Sequence, residues 1–175
     1  RVQDRSGDIE AKAVVLEAIV HAVACGVRSI EHGNLIDAEA AAAMAKRNAY
    51  LVPTLAAYDA TDRHGKELGL PDAAMEKLKT VLDRGLGAIE IAAEAGVKVG
   101  FGTDLLGATH HYQSHGLAIQ ADAQQAHGVI AAATATNAAI LGREDELGVI
   151  AAGALADLLV VDGDPLKDLG LLDSQ

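Results

Sequence analysis

The 175-residue sequence predicts an α/β fold built on a short parallel sheet. Three observations predict it. Short apolar runs alternate with longer helical patterns, which is how parallel strands joined by crossover helices read in a sequence. Those runs are apolar nearly throughout, as strands covered on both faces must be. Half of the residues are hydrophobic, yet Trp is absent and Phe occurs once. A core of Ala, Val, Leu and Ile suits helices packed on a buried sheet better than an all-β sandwich.

The elements follow in order. Ile9, Ala13, Leu16, Val20 and Val23 fall at steps of three and four, one face of a helix from Ile9 to Ala24 that Gly26 stops. Val27 to Glu31 is the first strand and leads into His32-Gly33. Asp37 caps a helix over Ala38 to Arg47, because its carboxylate can accept free N–H groups at a helix start. Ala49 to Val52 is the second strand, ended by Pro53. Leu55 to Leu70 is polar enough to be expected as a loop. Pro71-Asp72 opens a long helix to about Ala95, closed by Gly96. Val97 to Phe101 is the third strand and runs into Gly102-Thr103-Asp104. A His-rich loop and helical stretches around Leu117–Ala126 and Val129–Leu141 follow, with Gly142 as terminator.

The tail changes character. Gly148-Val149-Ile150 and Ala156 to Val161 read as short strands, and Asp162-Gly163-Asp164-Pro165 as a turn. The expected division is therefore an α/β part over 1–142 and a small β segment over 143–175. Three strands do not make a stable doubly wound sheet by themselves. On this pattern alone the chain is either an open α/β fragment or a sector of a barrel.

Composition narrows the function. Twenty-five acidic residues against 14 basic ones leave a net charge of −11. Such a chain repels phosphate backbones and anionic lipid, so neither nucleic acid nor a membrane surface is an expected partner. The simplest use of the charge is solubility. The apolar stretch from Leu147 to Val161 is too short and too interrupted to span a bilayer. Cys25 is the one cysteine, which excludes an internal disulfide and a Cys-based zinc cluster and fits a cytoplasmic location. In its apolar helical stretch it is expected as a small core residue. The polar opening from Arg1, with no apolar segment and no initiator Met, leads to the expectation that the chain begins inside a gene.

Two strands end in residues able to hold a metal. His32 follows the first and Asp104 the third. In a parallel α/β barrel all such ends share one rim, where the active site lies. Imidazole nitrogen and carboxylate oxygen both suit Zn²⁺ and its neighbours. A carboxylate there can also take the proton of a water acidified by the metal. The competing reading is that His32 caps a turn and Asp104 caps the next helix. His110, His111 and His115 follow Asp104 closely, and His110 is the candidate among them for substrate contact. His21 is expected as an ordinary helix residue, and His64 and His127 as structural or exposed. Asp59 and Asp62 are expected as solubility or capping groups, and Lys12 stands at no recognisable strand end.

Taken in order, Ser29-Ile30-Glu31-His32-Gly33, Tyr50-Leu51-Val52-Pro53-Thr54-Leu55 and Val99-Gly100-Phe101-Gly102-Thr103-Asp104 resemble the sixth, seventh and eighth strands of the amidohydrolase superfamily. Leu147 to Ile150 and Gly153 to Pro165 resemble its C-terminal β segment. The likeness covers about residues 14–168 and lies with the imidazolonepropionase-like and Xaa-Pro dipeptidase branch. It implies a partial TIM-type barrel, its last three βα units, followed by part of a small β-sandwich. It implies His32 and Asp104 as metal ligands, Asp104 also as the catalytic proton shuttle, and Tyr58, in the loop after the seventh strand, as a substrate contact. The implied cofactor is Zn²⁺ or another divalent metal, and the implied reaction is hydrolysis of an amide bond in a small molecule or dipeptide by a metal-activated water.

The departures are as informative. No His-x-His pair of the first strand is present, nor the carboxylated lysine of the fourth. The stretch Glu10-Ala11-Lys12-Ala13-Val14 lacks the histidine of the fifth. Residues 1–13 read as a truncation or a frameshifted join. Two ligands fall short of the three that a catalytic zinc usually keeps, so the chain alone is expected to be inactive. The alternatives are a non-catalytic α/β fragment that pairs with itself or a complementary half, and a cyclic amidase or related C–N hydrolase of the same superfamily.

Overall fold

The computed structural model describes residues 16–173. A helix over residues 16–24 (α1) comes first; Ile9, Lys12 and Ala13 lie outside the described residues. Then follow β1 (Ser29–Glu31), α2 (Ala38–Lys46), β2 (Tyr50–Val52), α3 (Leu55–His64), α4 (Asp72–Glu94) and β3 (Lys98–Val99). The three strands form one parallel sheet in the order β1-β2-β3. The predicted alternation of parallel strands and crossover helices is thus what forms.

One turn is used three times to pass from helix to strand. Gly26, Asn48 and Gly96 adopt φ of 97°, 51° and 79°. The next residue bonds back to the helix: Val27 N–H to Ala22 O at 3.1 Å, Ala49 N–H to Met44 O at 2.9 Å, Val97 N–H to Ala92 O at 2.8 Å. This closure satisfies a helix-end carbonyl. It also engages the first N–H of each apolar run, so the ladder begins later in the run. Asp37 caps α2 as expected, accepting from Ala40 N–H at 2.9 Å.

The core lies where α1, α2 and α4 meet the sheet. Ile19 and Val23, then Ala40, Ala41 and Met44, then Ala88, Ile89 and Ala92 present helical stripes at steps of three and four. They close on Leu51 and Val99 of the sheet. Val23, Met44, Leu51 and Ile89 are fully buried.

Three expectations need correction. Residues 55–64 are helical, so Tyr58, Asp59 and Asp62 stand on α3 and not in a loop. The segment looks polar because its buried face is small, Leu55, Ala56 and Ala60. Packing of that face outweighs the polar majority, and a salt bridge at i,i+4 from Arg63 to Asp59 supports it. Cys25 is exposed at the end of α1 and is no core residue, its Sγ 3.7 Å from His21 Nε2. Third, no strand forms among the described residues beyond 142. A strand needs a ladder partner for its backbone groups, and the described chain places none beside this tail. Ile150 and Val160 are left 95% and 93% exposed.

After β3 come a 3-10 turn (Gly107–Tyr112), α5 (His115–Gln120), α6 (Ala126–Ala131), a π-helical turn (Ala132–Thr136) and α7 (Asn137–Leu141). Gly142 closes α7 at φ 68°. No described helix is long and apolar enough to cross a membrane.

Candidate metal and substrate site

The C-terminal ends of the three strands face one rim, and a left-handed residue lies on the segment that follows each of them. His32, Thr54 and Asp104 have φ of 67°, 49° and 52°. That conformation costs about 1–2 kcal/mol for a residue with a side chain, and β-branched Thr rarely adopts it. Strain of this kind persists where surroundings over-determine the geometry, commonly at ligand sites. Here the surroundings are visible. His32 N–H donates to Val52 O at 2.8 Å, extending the ladder by one bond. Gly33 follows at φ 56°, and a Cβ there would meet Leu51 Cδ1 at 2.5 Å. Asn34 is buried beside the rim, and with its amide turned so that the nitrogen faces the two carbonyls it donates to His32 O at 2.6 Å and Pro53 O at 3.0 Å.

This backbone brings His32 and Asp104 together across 72 residues of sequence. His32 Nε2 lies 4.0 Å from Asp104 Oδ2, and both side chains are about half exposed. Neither atom is engaged in a hydrogen bond among the described residues. The other imidazole nitrogen, Nδ1, is 2.7 Å from Thr54 Oγ1. Thr54 itself is buried, at 4% exposure. Tyr58, one turn into α3, sets its ring edge-on to His32 with centroids 6.0 Å apart. Burial pushes its phenol above the ordinary value; a Thr54 hydrogen bond pulls it down, and the Asp104 carboxylate adds to the rise.

The segment that runs from β3 to Asp104 leaves the ladder after Gly100, and two side-chain amides hold it. Asn137 of α7 accepts from Phe101 N–H at 3.0 Å and donates to Phe101 O at 2.7 Å. Gln120 of α5, which is buried, donates to Gly100 O at 3.3 Å. Gly100 and Gly102 leave room for this: a Cβ on the first would meet Asn137 Oδ1 at 2.7 Å, and on the second Val52 Cγ1 at 2.7 Å.

The remaining histidines go elsewhere. His110 is exposed in the 3-10 turn and bonds to none of His32, Asp104 or Tyr58. His111 sits 2.9 Å from Ala108 O through Nδ1 and stacks on Tyr112. His64 reaches the Tyr112 hydroxyl at 2.7 Å, so it ties α3 to that turn. His115 lies between Asp59 and Asp173, at 3.9 and 4.0 Å. His21 and His127 are exposed. Sequence reasoning missed Thr54, Asn34, Asn137 and Gln120 as contributors to the rim. Only Thr54 carried a signal, its place directly after the Pro that ends a strand.

The donors fit a divalent cation as part of a site. Two donors about 2.1 Å from one tetrahedral cation stand roughly 3.4 Å apart, so the pair, at 4.0 Å, would have to close by about half an ångström to share one ion. Nitrogen plus carboxylate oxygen is a common set for Zn²⁺ and its neighbours. No group of three or more His, Cys, Asp or Glu side chains suited to a metal is found among the described residues.

No curated protein matches the sequence. Among solved structures, a prolidase complexed with N-methylphosphonate-L-proline is 46% identical, with a TM-score of 0.87 over 91% of this chain. An amidohydrolase is 51% identical, with a TM-score of 0.85 over 90%. A Xaa-Pro dipeptidase with methionine bound in its active site is 32% identical, with a TM-score of 0.80 over 90%. The chain spans only 38–39% of the length of these three structures. The model of the amidohydrolase family matches residues 10–174. On that match, which runs almost from end to end, the chain belongs to the amidohydrolase family.

Proposed function

We propose that residues 1–142 are the last three βα units of a TIM-type barrel, that 143–175, which form no strand among the described residues, complete part of a β-sandwich only when a neighbouring strand pairs with them, and that the whole protein hydrolyses an amide bond in a small substrate. A dipeptide ending in proline is the substrate class best supported, since solved relatives carry the names prolidase and Xaa-Pro dipeptidase. The observation that carries the reading is the convergence of His32 Nε2 and Asp104 Oδ2.

His32 and Asp104 would hold a divalent cation, Zn²⁺ or a neighbour, which when bound supplies Lewis acidity toward a water and a substrate carbonyl. The chain's own groups do the rest. Asp104 accepts the proton of the attacking water on a carboxylate oxygen and hands it to the departing amine nitrogen. Its exposure leaves that oxygen open to substrate. Tyr58 keeps its proton at neutral pH and donates a hydrogen bond to the substrate beside His32. His110, on the exposed turn after Asp104, is a substrate contact only if that turn folds over the rim.

Two ligands are too few for a tightly held catalytic zinc. The chain alone, assayed on Xaa-Pro dipeptides with added Zn²⁺ or Mn²⁺, is therefore expected to stay at background. Robust turnover would refute the two-ligand reading. A second reading, association with itself or with a complementary half, is favoured by the outer edges of β1 and β3, which pair with no strand among the described residues, and by the exposed Ile150, Leu158, Leu159 and Val160. Size-exclusion chromatography with metal analysis separates the cases. An oligomer carrying stoichiometric zinc supports an assembled site, and a metal-free monomer supports an inert fragment and counts against the metal site.

A further inference from the structure

We propose that Asn34 is a positioning residue whose side-chain amide ties two left-handed turns together and so sets where the His32 ring stands. The inference rests on the proposed role of His32 as a ligand. A ring that is to meet a cation has to be aimed before the cation arrives, and the aim starts with the backbone that carries it.

The partners of Asn34 fix the direction of its bonds. Both are backbone carbonyls, His32 O at 2.6 Å and Pro53 O at 3.0 Å, and a carbonyl can only accept. The amide nitrogen carries two hydrogens, one for each. Orientation of the first carbonyl sets ψ of His32. The second belongs to the peptide that enters Thr54. His32 and Thr54 are left-handed, at φ 67° and 49°, so one amide restrains both unusual turns. On its other side His32 donates its N–H to Val52 O at 2.8 Å, which holds its backbone at both ends. The 2.7 Å approach of His32 Nδ1 to Thr54 Oγ1 joins the same two turns, whichever atom carries the hydrogen.

The surroundings make the contact hard to replace. Asn34 is 4% exposed. Helix α4 lies against it, since a Cβ at Gly85 would stand 3.8 Å from Asn34 Cγ. A carboxylate at this position would turn acceptors toward two carbonyls, and an alanine would leave both without their partner. Either change releases ψ of His32, and the turns lose a restraint that holds them in strained backbone space.

The test begins with NMR of the full wild-type chain without metal. Both side-chain amide protons of Asn34 should be protected from exchange and show couplings across hydrogen bonds to the carbonyl carbons of His32 and Pro53. Fast exchange of both would overturn the proposal without any variant. Asn34→Asp, nearly the same size, and Asn34→Ala are then compared with Ile89→Ala, a core variant that controls for stability alone. Both Asn34 variants should lose the nuclear Overhauser contact between the His32 and Tyr58 rings and bind zinc about tenfold or more weakly. Ile89→Ala should unfold at lower urea yet keep the contact and the affinity. Asn34 variants that retain both readouts would overturn the proposal, as would an Ile89→Ala protein that loses both to the same degree. A wild type that binds no zinc would sink the ligand role of His32, and the ring contact in Asn34→Asp would still decide the positioning role.

Discussion

The clearest structural test falls on Asn137, because its amide stands in for a missing strand. Phe101 lies just past the end of β3, and its N–H and C=O are both satisfied by one side chain, at 3.0 and 2.7 Å. Asn137→Ala removes both bonds. Each is worth about 1 kcal/mol net, and a partly buried group left unpaired costs up to ~3 kcal/mol. Some water can reach this site, so the expected loss is about 2–4 kcal/mol. Asn137→Asp separates the two halves: it still accepts from Phe101 N–H, but sets a carboxylate against Phe101 O and should cost about as much. Equilibrium urea unfolding measures both, read as a lower midpoint at unchanged slope. Hydrogen exchange at the Phe101 amide should accelerate in Asn137→Ala and stay slow in Asn137→Asp. A change within about 0.5 kcal/mol for both variants, typical of an ordinary surface site, would refute the claim that side-chain amides hold this strand end.

Two further predictions concern the rim. Gly33→Ala places a Cβ 2.5 Å from Leu51 Cδ1 at φ 56°; strain of about 1–2 kcal/mol adds to overpacking of about 1–3 kcal/mol, so thermal unfolding should drop by several degrees or more. Tyr58 ionises above its ordinary value of 10.0. The folded state therefore holds this proton more tightly than the unfolded chain, and the resulting stability is complete below the ordinary value and lost as pH rises through the raised one. Tyr58→Phe should flatten that alkaline loss in urea unfolding followed against pH, and an unchanged slope would contradict the burial argument.

The parts of the fold that were legible in sequence are those that local rules decide. The helix stops at Gly26, Gly96 and Gly142, the Asp37 cap and the apolar strand runs all act within a few residues. His32 and Asp104 were legible as a pair because parallel strands put their ends on one rim, and the structure brings them to 4.0 Å. What failed depended on distant contacts. The helix at 55–64 is stabilised by packing of Leu55, Ala56 and Ala60 on other elements, which a polar local sequence hides. The tail reads as strands because its residues suit a half-buried ladder, but a ladder needs a neighbour. Thr54, Asn137 and Gln120 escaped notice because neutral polar side chains carry no motif. Their roles appear only when Nδ1 of His32, or the backbone of Gly100 and Phe101, is seen to need a partner.

The central claim is that His32 and Asp104 grip one cation. Isothermal titration of the 175-residue chain with Zn²⁺, alongside His32→Ala and Asp104→Ala and the double variant, tests it most directly. Two side chains on one ion must couple: each single variant should abolish most of the binding, and the double variant should lose little more than either single one. Losses that simply add, or a wild type that takes up no zinc at all, would contradict it.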